Sequence, residues 1–401
     1  MPRTKNSNLT SIQNLGEIYR LIEQFELISR IDLSKLSGFA PASITNLIRK
    51  LIDLKLVIER TAQTSLVRGR PAVGLTVSPF YWQTICGIIS EQGIELFLCE
   101  LNGNVVEQCF YPIEREQISQ LDKVLLEKLH AFQERYQAKL SKILALSISV
   151  IGQLNRCRTG IVKLGSSKLE LDLQTPLSEY FSIPILLSEY FSAWVFAEST
   201  FGSAINSNNV IFLQLDDVIN MSVLSKGEVL HNEKEMRMNI DRVCLPKMSP
   251  LAEYIGQNLP KIEQQQLQHH VTYTTIYRLV DHLLPNTIPD GKKKLEYLCQ
   301  QVAQNNQKAI DILYYIADNL SYILMNLVNI FSSEKIIVKA GILGEEEIFL
   351  QRLKQKLNEN LLLDHHNIDI VTGHYNYSEP EVATATIKQY LYNGRLLEKI
   401  I

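Results

Sequence analysis

A chain of 401 residues is long enough for two or three domains, each with a core of its own. A hydrophobic share of 46% and a formal net charge of −3 describe a soluble globular protein. The longest strongly apolar stretch, Tyr322–Phe331, is too short to cross a bilayer. The opening residues, MPRTKNSN, are polar and basic with no apolar run behind them, which predicts no signal peptide. Six cysteines are scattered without a CxxC pair, the pattern of free thiols in a reducing cytoplasm.

The first twelve residues read as a flexible polar arm, and Leu15, Ile18, Tyr19, Ile22 and Phe25 then recur at helical spacing. Within Leu27–Glu59 the pattern predicts two short helices joined by a tight turn. Ser29 caps the first and Asp32 brings negative charge to its positive end. Leu33 and Leu36 form its inner face, and Gly38 stops it. Pro41 suits the first turn of the second helix, whose inner face is Ile44, Leu47, Ile48 and Leu51. Ser43, Thr45, Asn46, Arg49 and Lys50 face out: short hydrogen-bonding groups followed by cations, suited to base edges and phosphates in a major groove. A strand at Val57–Arg60, a polar loop at Thr61–Arg70 and a strand at Ala72–Val77 complete a winged helix-turn-helix over residues 1–80. The loop carries Arg68, Gly69 and Arg70 before Pro71, a set that can lie along a phosphate backbone or enter a narrow minor groove. Residues 1–70 hold 11 Lys and Arg against 6 Asp and Glu, a net of +5, so the remainder sums to −8. A basic head on an acidic body is the footprint of a nucleic-acid binder with a separate regulatory part.

Residues 81–401 read as an α/β body in two halves. Strands are expected at Thr84–Ile89, Ile94–Leu101 and Val105–Tyr111, with an Asn102-Gly103 hairpin between the last two. A helix over Ser119–Leu140 follows, then strands at Ile143–Ile151 and Ile183–Leu187 and a helix at Ser192–Phe201. Strands at Val210–Leu215 and Met221–Leu224 precede a stretch, Asn232–Lys308, that reads as mostly helical. Ala309–Phe331 is apolar on nearly all sides, which implies burial in a core or a subunit interface. A strand at Glu334–Gly341, a helix at Glu347–Leu361, a strand at Ile368–Thr372 and a helix at Val382–Tyr392 close the chain, and no internal repeat stands out.

These segments resemble the ROK family (repressors, open reading frames and sugar kinases), in its branch of glucose and N-acetylglucosamine repressors. The residues that carry the likeness are YRLIEQ at 19–24, SRIDLSKLS at 29–37, APASITNLIRKLI at 40–52, GRPAVGL at 69–75, SAWVFAESTFG at 192–202, LVNIFSSEKIIV at 327–338 and LYNGRLL at 391–397. The resemblance implies an actin-like ATPase fold of two lobes for the body. It implies a transcriptional repressor, at least dimeric, bound to a palindromic double-stranded DNA operator of sugar-uptake genes. Its effector would be a sugar phosphate or a sugar-transport protein.

The chain departs from the family where the family has its chemistry. The zinc site of relatives maps to Glu233–Glu253, which keeps Cys244 and no histidine, short of a tetrahedral donor set. The Asp that relatives carry before the helix at residue 192 is replaced by Tyr190, with Glu189 one position away, so these two residues mark at most a degenerate sugar pocket. Asn220-Met221-Ser222 stands in place of a glycine-rich phosphate turn, and the turn after the first body strand, ISEQG, lacks paired glycines. Gly152 and Gly341 read as ordinary turn glycines. The expected protein is a repressor without cofactor or metal and without catalysis. A sugar kinase, or a body that answers to a protein partner, are the alternatives. His269-His270 and His365-His366 read as exposed histidines, and Lys292-Lys293-Lys294 as a solvated face.

Overall fold

The computed structural model describes residues 3–61, 73–165, 167–230, 238–246, 249–255, 259–289, 291–340, 346–359, 368–376 and 379–401. The chain divides into two compact units, Met1–Phe196 with Tyr377–Ile401, and Ala197–Asn376.

The first unit begins with α1 (Arg3–Gln24), so the helix takes in most of the expected polar arm. No glycine or proline interrupts residues 3–15, and nothing in that run breaks a helix. Phe25, expected on its inner face, lies past the helix end and is half exposed. Next come α2 (Arg30–Ser37), α3 (Pro41–Asp53), β1 (Val57–Thr61) and β2 (Val73–Val77). β1 and β2 pair antiparallel from Val57↔Val77 to Thr61↔Val73, and Ile28 bridges Leu75 on the other side of β2. Helices α1 to α3 with this small sheet make a winged helix-turn-helix. Its core is Leu15, Ile18, Tyr19, Ile22, Leu33, Ile44, Ile48, Leu51, Leu56 and Leu75.

The rest of that unit holds β3 (Trp82–Ser90), β4 (Gly93–Glu100), β5 (Val105–Pro112), α4 (Leu121–Arg135), β6 (Lys142–Val150), β7 (Gly152–Leu154), β8 (Gly160–Leu164), β9 (Ser167–Asp172), α5 (Gln174–Tyr180), β10 (Ile185–Glu189) and the start of α6 (Tyr190–Thr200). The main sheet runs β10-β6-β3-β4-β5, with β3 parallel to β6 and antiparallel to β4. Strand alternation gives it one wholly apolar face and one of mixed chemistry. Ile85, Ile89, Leu96, Leu98, Leu146 and Ile148 pack in one cluster with Leu121, Leu125, Leu129 and Phe132 of α4. The other face carries Thr84, Cys86, Cys99, Ser147, Ser149 and Ser188, all buried. The returning C-terminal helix covers it, and a hydroxyl chain runs from Ser149 through Ser188 (3.0 Å) to Thr386 (2.8 Å).

The second unit contains β11 (Val210–Leu215), β12 (Ile219–Ser225), β13 (Glu228–Leu230), α7 (Gln268–Val271), α8 (Tyr273–Leu283), α9 (Gly291–Ala303), α10 (Gln307–Phe331), β14 (Lys335–Ala340), α11 (Glu346–Asn358) and β15 (Asp369–Thr372). Its sheet order is β13-β12-β11-β14-β15. Both five-stranded sheets therefore have the same plan, three antiparallel strands followed by two parallel additions, although no sequence repeat marks it. Residues 238–267, expected mostly helical, are irregular where described, with isolated bridges and short 3₁₀ turns. α10 lies in this unit's core, with Ile312, Leu313, Ile316, Leu320, Ile323, Leu324 and Val328 buried. The chain returns to the first unit for α12 (Pro380–Tyr392).

Candidate nucleic-acid interface

The head is built from local signals that all agree. The Ser29 side chain accepts a hydrogen bond from the Asp32 amide at 3.1 Å, and its hydroxyl donates to the Asp32 carboxylate at 2.6 Å. Gly38 ends α2 with φ of 72°, a conformation glycine adopts without steric cost. Leu33 is buried, but Leu36, expected beside it, is 53% exposed. Leu36, three positions on, shares that side of the helix but lies beside its end at Ser37, past the point where the face meets the core.

On α3 the separation is clean. Ile44, Leu47, Ile48 and Leu51 are buried, while Pro41, Ala42, Ser43, Thr45, Asn46, Arg49 and Lys50 are exposed. All five outward residues named from the sequence on this helix therefore share one solvent face. The helix is fixed from behind at its C-terminal end, where the Trp82 indole donates to the Leu54 carbonyl at 2.8 Å. The Lys142 ammonium sits 4.7 Å above the same indole. Arg30 of α2 pairs with Glu59 of β1 and ties the first helix of the pair to the wing. Arg68, Gly69 and Arg70, the proposed wing contacts, lie outside the described residues.

The body positions singled out from the sequence are placed as follows. Glu189 ends β10, and its Oε1 accepts from the Leu154 amide at 3.0 Å. Tyr190, the next residue, begins α6 and is 1% exposed. Asn220-Met221-Ser222 lies inside strand β12 and not in a turn; Asn220 donates to Gln214 across the strand pair at 3.1 Å. The turn itself is Asp216-Asp217-Val218, closed by a bond from the Asp216 amide to the Val218 carbonyl at 3.1 Å. Two carboxylates in that turn repel a nucleotide phosphate where backbone donors alone would attract one. Gly152 is a strand residue: a side chain there would meet the Lys163 carbonyl at 2.1 Å. Gly341 and His365-His366 lie outside the described residues.

Among the described residues, the segment to which the family resemblance maps a zinc site brings together no tetrahedral donor set. Cys244 is exposed, its thiol donates to the Arg242 carbonyl at 3.9 Å, and its backbone bridges Gln266. Among the described residues no three His, Cys, Asp or Glu side chains come together as a metal site. His231, Glu233 and Glu235 lie outside them.

Two sites were not visible in the sequence. Glu198 on α6 is fully buried and accepts from the Ser203 amide and the Tyr375 amide, both at 2.9 Å. Lys339, also buried, donates to the Tyr375 carbonyl at 2.9 Å. His270, expected at the surface, is buried, with Nδ1 2.6 Å from the Tyr315 hydroxyl and Nε2 2.7 Å from the Gln264 carbonyl. Burial pushes its pKa below the ordinary 6.5, against the smaller opposing effect of the Gln264 bond. Of the lysine run, Lys294 is not simply solvated: it pairs with Asp281 at 2.7 Å.

A winged helix-turn-helix with a polar, cationic outer face, continuous with an α/β body, is the class of protein that fold and site define. The ROK family profile matches residues 89–235 and 283–384, and the chain belongs to that family. It is 26% identical over 401 residues to the DNA-binding transcriptional repressor Mlc of Escherichia coli K12, covering 97% of this chain and 96% of that one. It is 21% identical over 398 residues to the N-acetylglucosamine repressor of Shigella flexneri, covering 99% and 97%. Among solved structures it is similar to a ROK family transcriptional regulator, a homologue of the E. coli Mlc protein (TM-score 0.80, 24% identity, 98% of this chain and 99% of that one). It also resembles a ROK hexokinase from Thermus thermophilus (TM-score 0.58, 14% identity, 77% and 98%). At these identities the structural likenesses show the fold alone. No described helix is long and apolar enough to cross a membrane.

Proposed function

We propose that this chain is a cytoplasmic DNA-binding transcriptional repressor of sugar uptake and metabolism genes, of the N-acetylglucosamine or glucose type, whose body does not catalyse. One observation carries the reading: α3 turns Ser43, Thr45, Asn46, Arg49 and Lys50 to solvent while its whole apolar face is buried. Names of relatives aligned over nearly the full chain support the repressor class and the sugar theme. Residues 1–80 are assigned to DNA, with Arg68, Gly69 and Arg70 on the backbone or minor groove. Residues 81–401 are assigned to effector response and oligomerisation. Two heads on a palindrome need at least a dimer. The effector is a sugar phosphate or a sugar-transport protein.

A hexokinase-like fold leaves the kinase question to the site. Phosphoryl transfer needs a carboxylate base and donors that cradle phosphate. Tyr190 is buried, Glu189 holds a backbone amide, and Asp216 and Asp217 occupy the turn.

Mapping of bound promoters by chromatin immunoprecipitation, followed by binding measurements on a recovered site, tests the proposal. Asn46→Ala or Arg49→Ala is expected to relax sequence preference by ~1–3 kcal/mol where a bidentate contact is lost. Arg68→Ala is expected to weaken all sequences alike and reduce the salt slope by about one. Wild-type binding by all three variants overturns the head assignment. Turnover of ATP with glucose, N-acetylglucosamine or N-acetylmannosamine overturns the non-catalytic body.

A further inference from the structure

The outer face of α3 is less polar than its sequence suggests. The Thr45 hydroxyl is turned back along the helix and donates to the Pro41 carbonyl at 2.9 Å, one turn earlier. Thr45 is nevertheless exposed. With its hydrogen committed, the hydroxyl can only accept, and the apolar group Thr45 offers a partner is its methyl. Ala42, three residues before it and also exposed, places a second methyl on the same side of the helix. Asn46, beside Thr45 and one turn on from Ala42, is exposed, and among the described residues no hydrogen bond engages its amide. A methyl group recognises the C5-methyl of thymine by apolar contact, and a free carboxamide pairs with the N6/N7 edge of adenine.

We propose that Thr45 is a specificity residue that reads a thymine through its methyl group and not its hydroxyl, with Asn46 reading an adenine beside it, so that each half-site centres on A·T pairs. This rests on the DNA-binding reading of the head. The bond to Pro41 sets the side-chain rotamer and takes the hydroxyl's one hydrogen, which leaves Asn46 and the cations Arg49 and Lys50 as the polar donors beyond Ser43.

The experiment uses the full chain and a binding site selected from a random duplex pool. Two variants separate the parts of the side chain: Thr45→Ser keeps the hydroxyl and deletes the methyl, and Thr45→Val keeps methyls and deletes the hydroxyl. Each thymine of the site is replaced in turn by deoxyuridine, which lacks only the C5-methyl. The parent is expected to lose about fourfold in affinity at one thymine, the scale of one methyl-sized apolar contact. Thr45→Val should keep that sensitivity. Thr45→Ser should bind about fourfold more weakly and lose the sensitivity at that position. Asn46→Ala should relax the preference for the adjacent adenine. The proposal falls if Thr45→Val loses selectivity while Thr45→Ser keeps it, or if both variants retain the parent's deoxyuridine profile. A parent chain that selects no sequence from the pool defeats the DNA-binding reading itself, an outcome distinct from either. Circular dichroism melts of the variants establish that each compared chain is folded.

Discussion

Lys388 Nζ lies 2.7 Å from Glu23 Oε1, an ion pair that joins the last long helix of the chain to the first. Both side chains are close to fully buried, at 11% and 7% exposure. The second carboxylate oxygen of Glu23 accepts from the Tyr392 hydroxyl at 2.8 Å. Burial, and then the Glu23 charge, push the Tyr392 phenol well above its ordinary pKa, so it stays a donor. Because α12 also covers the hydroxyl-bearing face of the main sheet, this cluster ties the winged-helix head to the sheet within one compact unit.

Removing one partner of a buried pair leaves the other charge desolvated and unpaired, at a cost of ~3–5 kcal/mol. Lys388→Met is therefore expected to lower the urea midpoint sharply. Adding Glu23→Gln should recover most of the loss, because the unpaired charge is then gone. Chemical denaturation of the two single variants and the double variant gives the coupling. Additive losses would mean the pair does not operate as a unit.

The same contact depends on Gly16. A Cβ on this residue would lie 2.3 Å from the Tyr392 carbonyl oxygen and 2.7 Å from that of Leu391. Helix propensity alone would make Gly16→Ala stabilising by ~1 kcal/mol. Here α1 would have to withdraw from α12, so a lower melting temperature is expected. An unchanged or higher one shows that the helices separate without cost.

Glu198 gives a graded test in the second unit. Its two oxygens each hold one backbone amide, of Ser203 and of Tyr375. Glu198→Ala strips both donors of their acceptor, at ~1–3 kcal/mol each. Glu198→Gln keeps one acceptor oxygen and should fall between the parent and the alanine variant in denaturant midpoint. Equal stability of all three would exclude this carboxylate as the anchor of the Tyr375 segment.

His270 predicts a pH dependence with a definite sign. Its folded pKa lies below the ordinary 6.5 because burial disfavours the imidazolium. Between the folded value and 6.5 the unfolded chain binds a proton that the folded chain does not. The contribution to stability is therefore complete above 6.5 and is lost as the pH falls toward the folded value. His270→Phe should flatten that part of the profile, at a lower plateau because the Tyr315 hydroxyl and the Gln264 carbonyl lose their partner. Unfolding free energies from about pH 7.5 to about pH 5.5 measure it.

The head was legible because its signals are local. The Ser29 cap, the Gly38 stop, Pro41 at a helix start and the spacing of Ile44, Leu47, Ile48 and Leu51 each act within one turn of the chain, and each is found as read. Its wing strands were visible too, as short runs holding Val, Ile and Leu on either side of a polar loop. The strands β7, β8 and β9 were missed because they are short and their residues partly polar, so no apolar run announces them. Leu36 and Phe25 were misplaced because periodicity fixes a helix face but not where the face stops meeting a core.

What only the tertiary structure decided is the fate of the polar residues. Glu23 and Lys388 are 365 positions apart, Ser188 and Thr386 are 198, and Glu198 and Tyr375 are 177. Nothing near any of these residues in the chain distinguishes it from a surface Glu, Lys or Ser. A charged or hydroxyl side chain can be buried only where a distant segment supplies its partner, since the desolvation cost otherwise exceeds any gain from packing. Apolar spacing records which face of a helix or strand turns inward, because burial of a methyl group asks only for absence of water. Burial of a carboxylate asks for a particular donor in a particular place, and that place exists only once the chain has folded.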